Sequence, residues 1–267
     1  MKKIKTALAV SLLSTTLLAP SLFAKDNLEE KINKYEIYCS IFHVGDGHYK
    51  TSENDKGYKI GLHAKPIGIF KSLGLKYDFT TQGYKEKEKL YPIRFVRQNR
   101  SRITVENPYE DRNRRIATKT EATTMYFDYK KLEAKAYAYT EIEGEREVKY
   151  DTNVKITKEI KDFLTFVEEF RRGELKDHYE LKTIAKGKIY PFPTKKIGEE
   201  TINLNGEYYE TIVYETRVNK ELFGVDSKAK LWIHKKKDHT VLKCWIENGP
   251  LWTSINVTYS GSKSELE

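Results

Sequence analysis

The sequence predicts a mainly β protein: one strongly curved antiparallel sheet, shaped as a half-barrel, with a single helix across its concave face. Three observations carry that expectation. Beyond residue 34 most of the chain alternates apolar and polar positions in runs rich in Tyr, Phe, Ile, Val and Thr, the period-2 signature of strands. One segment, residues 157–172, changes to a helical period. The element order is many strands, one helix, many strands, whereas a doubly wound βαβ fold needs a helix between most strands. A sheet curved around the helix covers the apolar face of both.

Taken from the N-terminus, the chain opens on an address. Lys2, Lys3 and Lys5 form a positive n-region, residues 7–18 are an apolar or small-residue run, Pro20 breaks it, and Leu22-Phe23-Ala24 reads as a cleavage site. Together they predict a secretory signal peptide over residues 1–24. The apolar run is too short to span a bilayer comfortably. A short Lys-rich start suits bacterial export, so the expected location is the periplasm. The expected organisation is one β-rich domain over residues 25–260 and a polar tail over 261–267, soluble after cleavage. Removing three lysines takes the net charge from +9 to +6.

Residues 35–44 put Tyr35, Ile37, Cys39 and Ile41 on one strand face and Tyr38, Phe42 and Val44 on the other. Residues 52–57 form a turn, 58–64 resume an extended pattern, and 67–73 make a short amphipathic connector. Strands follow at 75–81, 91–98, 102–106, 123–130 and 134–142, with 145–150 continuing the meander and the polar residues 107–115 at a loop or hairpin tip. In the helix, Ile160, Phe163, Leu164, Val167 and Phe170 form one apolar stripe. Glu159 near its start and Arg171-Arg172 at its end suit the helix dipole, and Gly173 is a C-terminal stop. Residues 178–190 then read as extended, ending at Pro191-Phe192-Pro193. Asn205-Gly206 marks a type I′ hairpin joining 200–204 to 207–218. A last meander runs through 228–234, 240–247 and 251–259, with turns at 236–238 and 248–250. No repeat or Gly/Pro/Ser-rich linker divides the chain.

Composition bounds the function. With 19 Tyr, 11 Phe and 3 Trp the chain is too aromatic for disorder. Its 33% charged residues and mean hydropathy of −0.69 exclude a polytopic helical membrane protein. Two Cys are too few for a disulfide-dense scaffold or a four-thiolate metal site. Cys39 and Cys244, in an oxidising compartment, admit one disulfide between an early and a late strand. That bridge would contribute about 4–5 kcal/mol in the chain-entropy model; two unpaired thiols are the alternative.

The order of several short segments resembles a known family. Tyr77-Asp78 precedes Leu90-Tyr91-Pro92-Ile93-Arg94, then come Phe127-Asp128 and the helix with Asp162-Phe163-Leu164. Gly206-Glu207-Tyr208-Tyr209 leads into a strand, and Lys230-Leu231-Trp232-Ile233 runs on through Gly249. Over most of the mature chain this resembles the bacterial secreted domain-of-unknown-function 3108 family. The resemblance implies an exported antiparallel β protein with the half-barrel shape of periplasmic lipoprotein carriers. It implies no catalytic residues, because none are defined for the family. The chain departs from the pattern at Val44-Gly45-Asp46-Gly47.

Three constellations are candidates for binding. Arg94, Arg97, Arg100, Arg102, Arg112, Arg114 and Arg115 concentrate seven of the eleven arginines in one hairpin. Guanidinium forks suit phosphate and carboxylate, as found in phospholipid, lipopolysaccharide or acidic glycan; nucleic acid is not an expected partner. The alternative is a solvated hairpin, and strand alternation sends Arg94 and Arg97 to opposite faces. Ala134, Ala136 and Ala138 share one face. They leave room either for a ligand or for Phe163, Phe166 and Phe170 of the helix, and close packing is the default. Trp232, Trp245 and Trp252 in the last meander form either an aromatic platform or plain cross-strand pairs. The six His show no metal motif, and no phosphate loop, nucleophile elbow or dinucleotide fingerprint is present, so no metal or cofactor is expected. The leading functional expectation is a non-enzymatic carrier of an apolar or amphiphilic envelope molecule, possible ligands being a lipid or a lipoprotein. Binding of acidic glycan by the arginine hairpin and hydrolysis of envelope polymers by a carboxylate pair are the alternatives.

Overall fold

The alternating segments pair in sequence, each with its neighbour, into antiparallel ladders. The computed structural model describes residues 29–106, 114–218, 226–236, 239–247 and 254–264. The strands are β1 (Glu29–Cys39), β2 (Phe42–Glu53), β3 (Gly57–Pro66), β4 (Lys76–Glu86), β5 (Lys89–Glu106), β6 (Arg114–Asp128), β7 (Glu133–Ile142) and β8 (Glu145–Lys155). Helix α1 (Phe163–Arg172) follows, then β9 (His178–Ala185), β10 (Lys188–Leu204), β11 (Glu207–Val218), β12 (Ser227–His234), β13 (Val241–Ile246) and β14 (Ile255–Ser264).

All fourteen strands belong to one sheet in the order β8-β7-β6-β5-β4-β3-β2-β1-β14-β13-β12-β11-β10-β9. The first strand thus pairs with the last, and the sheet's two edges are β8 and β9, the strands that flank the helix. The sheet is not closed. Register shifts in six of the pairings bend it, as bulges do. At the β4 shift only glycine fits: a Cβ on Gly83 would lie 2.2 Å from the Tyr91 carbonyl oxygen and 2.7 Å from the Tyr58 ring.

The ladder registers define the inner face. One inner row runs Tyr49–Leu62–Phe79–Arg97–Thr123–Ala138–Tyr150 across β2 to β8. Another runs Tyr214–Leu231–Cys244–Val257–Ile37 across β11 to β1. The main core, which includes Tyr58, Ile60, Phe95, Met125, Ala134 and Leu164, lies between the first half of the sheet and the helix region. Outward positions of β5 are Arg94, Gln98, Arg100 and Arg102. Among the described residues no helix is long and apolar enough to cross a membrane.

The expected architecture is present: mainly β, antiparallel, strongly curved, with one α-helix among the described residues. Boundaries differ in instructive ways. The run at 35–44 is two strands, because Ser40 takes φ 56° and turns the chain after Cys39. The strands expected at 91–98 and 102–106 are one, β5. Strand β10 passes through Pro191 and Pro193, where it pairs with β9 alone; pairing to β11 begins at Thr194. A strand tolerates a missing N–H donor where one side has no ladder. The helix is shorter than its apolar stripe, starting only after Asp162. Residues 261–264, placed in the tail, finish β14, while the turns at 237–238 and 248–250 and the signal segment lie outside the described residues. The hairpin at Asn205-Gly206 has φ of 54° and 88°, as a type I′ turn requires.

Of the two readings left open for Cys39 and Cys244, the strand order supports the unbridged one. Cys39 is opposite Ile255 on one side of β14, and Cys244 is opposite Val257 on the other. A whole strand therefore separates the two thiols, and they are not bonded, since a bridge needs Cα atoms within about 7 Å and two strand spacings exceed that.

Candidate functional site

The site is the space enclosed by the sheet, and the helix divides it. Asp162 fixes where the helix begins. Its Oδ1 accepts the Leu164 and Thr165 amides at 2.9 and 3.1 Å, and its Oδ2 accepts the Thr165 and Thr81 hydroxyls at 2.6 and 2.9 Å. This N-cap is fully buried. Burial pushes the carboxyl up, the four donors hold it down, and the net direction is upward. The Thr165 hydroxyl also meets the Tyr58 hydroxyl at 2.8 Å, tying the first turn to β3 as well as β4.

The rest of one helix face is bolted to β2 and β5. Glu169 accepts the Leu90 amide at 2.7 Å, and Lys161 donates to the Leu90 carbonyl and sits 3.8 Å from the Tyr91 ring centroid. Glu168, buried, accepts the Tyr49 hydroxyl at 2.8 Å, Arg171 at 3.0 Å and Arg172 at 2.9 Å. Arg172 also donates to Glu53 at 2.7 Å. Burial pulls the Arg171 guanidinium down, but Glu168 and the nearby Tyr49 and Tyr35 outweigh it and hold it above its ordinary value. The opposite helix face carries rings. Phe170 meets Tyr179 and Tyr214 edge-on at 4.7 and 5.0 Å, and Phe163 and Phe166 meet Phe192 at 6.1 and 6.0 Å.

Two chambers remain. The apolar chamber, about 280 Å³, lies between α1 and strands β1–β4 and β10–β14. Small residues open it: Gly47, Ala64 and Ala229 line it opposite Phe163, Phe166 and Val167, with Leu231, Cys244 and Val257 as a wall. Arg171 is the one charged side chain in its lining, and Glu168 neutralises it. Burial pushes the Cys244 thiol up to about 12, so it is an apolar wall atom rather than a nucleophile.

The seam chamber, about 520 Å³, lies under the gap between β8 and β9. Arg97, Asn99 and Glu121 line one side; Lys149 and Tyr150 of β8 and residues 183–186 line the other. Lys149 and Lys186 are exposed at its rim, where Lys149 pairs with Glu147 at 2.6 Å and Glu121 with Lys119, so Arg97 is the cation of its interior. Burial pulls the Arg97 guanidinium below its ordinary value. The Asn99 Oδ1 and Thr183 Oγ1 oxygens are buried with no hydrogen-bond partner among the described residues. At the far end the gap narrows, where Gly187 lies so close to Thr152 that a Cβ would meet it at 2.2 Å. Phe79 and Phe163 line both chambers and so stand at their junction.

The residues singled out in the sequence are distributed unevenly over this site. Arg97 faces inward. Arg94, Arg100, Arg102 and Arg114 are exposed, Arg94 lying over the Tyr126 ring at 5.8 Å, and Arg115 pairs with Glu143. Arg112 lies outside the described residues. The six described arginines therefore do not form one patch, since alternation turns Arg97 away from its neighbours. Ala138 lines the seam chamber, while Ala134 and Ala136 join the main core with Ile156, Ile160 and Leu164. Phe166 and Phe170 do not pack on the alanines; they belong with Tyr214, Ile233 and Tyr179 across the enclosure, because the polar helix face is the one turned to β2–β5. Trp232 is buried in a cluster with Ile202, Val213 and Leu242, with Trp245 half-buried against it, so the two do not present an open platform; Trp252 lies outside the described residues. Among the described residues there is no cluster of metal ligands, and the linings of the two chambers contain a single carboxylate, Glu121. Sequence reading missed Asn99 and Thr183. Their signal was polar residues at inward strand positions, visible only once the register is known.

The chain matches the family described as "Protein of unknown function (DUF3108)" over residues 34–250. No curated protein is similar enough to count as a match. Among solved structures it is similar to a beta-barrel-like protein of domain of unknown function DUF1849 from Brucella abortus, at 10% identity and a TM-score of 0.46, covering 91% of this chain and 100% of that one.

Proposed function

The chain belongs to the DUF3108 family, whose function is unknown, and we propose that it is an exported, non-enzymatic binding or carrier protein for an apolar or amphiphilic molecule of the cell envelope. The observation that carries this reading is the unfilled apolar chamber beside a helix that is itself held rigidly. Protein interiors are normally close-packed, and an empty apolar cavity costs stability in proportion to its size. This chain keeps glycine and alanine at Gly47, Ala64 and Ala229, where larger side chains would fill the space. An acyl chain regains the contacts that the cavity lacks.

Filling the space is the test. Ala64→Leu with Ala229→Leu adds methylenes that point into the chamber, so folding stability should stay within about 1 kcal/mol of the parent or rise. Native mass spectrometry with monolauroylglycerol should show binding to the parent and at least a tenfold loss in the double variant. A parent protein that binds no amphiphile of any head group would end the reading. Export is checked separately: protein isolated from an expressing bacterium should begin at Lys25 and be released with the periplasmic fraction, and an intact N-terminus in the cytosol would contradict it.

A further inference from the structure

The apolar chamber explains a tail but not the polar groups next door, and the seam chamber has the chemistry of a head-group site. We propose that the occupant is an anionic single-chain amphiphile. Its hydrocarbon part lies in the apolar chamber, and its oxyanion head, a phosphate or carboxylate, sits in the seam chamber on Arg97. The assignment rests on the binding reading above and specifies its ligand class.

Four observations converge. The chambers adjoin, with Phe79 and Phe163 lining both, so a molecule passing between those rings has one end in each. Arg97 is the neighbour of Phe79 in the β4–β5 ladder and lies over its ring at 5.7 Å; the cation is therefore at the junction, where a head group attached to a tail would be. Arg97 is the guanidinium of the seam lining, while Lys149, Lys186 and Glu121 are exposed at its rim, Lys149 paired with Glu147 and Glu121 with Lys119. Thr183 is 5% exposed, and among the described residues neither its hydroxyl nor the buried Asn99 Oδ1 has a hydrogen-bond partner. A buried oxygen left unpaired is costly, and these two line a space wide enough for a ligand to satisfy them. A hydroxyl on the head can donate to Asn99, while Thr183 donates to the oxyanion and Arg97 supplies charge-assisted bonds.

The experiment uses the full-length mature protein and two ligands that differ by one phosphate: 1-lauroyl lysophosphatidate and monolauroylglycerol, with inorganic phosphate as the head alone. By titration calorimetry the parent should bind lysophosphatidate at least tenfold more tightly than monolauroylglycerol. Arg97→Gln should bring the two affinities within about twofold of each other by weakening lysophosphatidate, and Arg97→Lys should restore part of the difference. Thr183→Val, an isosteric change that is safe for folding, should weaken lysophosphatidate several-fold, and by a larger factor than monolauroylglycerol. Equal binding of the two lipids by the parent would overturn the head-group assignment and leave the binding reading standing. Binding of neither would remove both. Inorganic phosphate binding as tightly as lysophosphatidate would show a site for free oxyanion, and the span between chambers would be wrong.

Discussion

Helix α1 touches the two halves of the sheet with different chemistry. Toward β2–β5 it presents Asp162, Thr165, Glu168, Glu169 and Arg172, each engaged by a named partner at hydrogen-bond distance. Toward β9–β12 it presents Phe163, Phe166 and Phe170, which meet other rings edge-on and leave the apolar chamber beside them. Directional bonds fix a position and angle, whereas apolar contact is indifferent to small displacements. The polar half therefore acts as the mount and the aromatic half as the wall of the apolar chamber. A helix mounted this way can border a cavity without collapsing into it, which a helix held only by hydrophobic contact would tend to do.

The largest effect should come from the mount. Glu168→Gln keeps the shape but leaves the buried Arg171 without its counter-charge. Breaking a buried pair from one side costs about 3–5 kcal/mol, read as a lower urea midpoint. A loss below about 1 kcal/mol would mean that the rings alone hold the helix, and the contrast between the halves would fail.

Asp162 sharpens the same contrast at the helix start. Asp162→Ala orphans two amides and takes one acceptor from two hydroxyls, which keep Tyr58 and the Arg94 carbonyl, and should cost about 2 kcal/mol, the upper end for a cap. Its carboxyl is raised in the folded state, so the proton is bound more tightly there than in the unfolded chain. The associated stability is fully present below the unfolded carboxyl range and is lost as pH rises through the folded value. Asp162→Asn should flatten that part of the stability–pH curve; an unchanged curve would assign the dependence elsewhere.

Much of the architecture was legible because strand alternation is local. The curve, the lone helix and the Asn205-Gly206 hairpin all follow from patterns a few residues long. What escaped depends on long-range pairing. Closure of β1 onto β14 separates Cys39 from Cys244 by a strand, and nothing near either cysteine signals it. The helix stripe pointed to Phe163 and Phe170 as core residues, but which half of the sheet they faced was set by Glu168 and Asp162 on the opposite side. Those residues read as ordinary surface charges until Tyr49 and Thr81, more than 80 residues earlier, are brought against them. The head-group candidates were half visible: Arg97 was singled out as one of a cluster, yet its significance is that alternation takes it away from that cluster.

The smallest effect tests the outer end of the mount. Glu53 on β2 receives Arg172 at 2.7 Å and Lys85 at 3.2 Å. Burial opposes its ionisation, but the two cations outweigh it and hold the carboxyl below its ordinary value of 4.5. This sign is opposite to that of Asp162: the stability is present above the unfolded value and is lost as pH falls through the lowered folded one. The pair is partly exposed, with side chains about a quarter to a third accessible, so solvent screening limits it to about 0.5–1 kcal/mol. Glu53→Gln should therefore be slightly less stable than the parent at pH 7, and the two denaturation curves should converge as both are acidified below 4.5. If they stay apart in acid, Glu53 contributes by packing rather than by charge. The mount would then end at Glu168, leaving the C-terminal turn of the helix to the rings around Phe170.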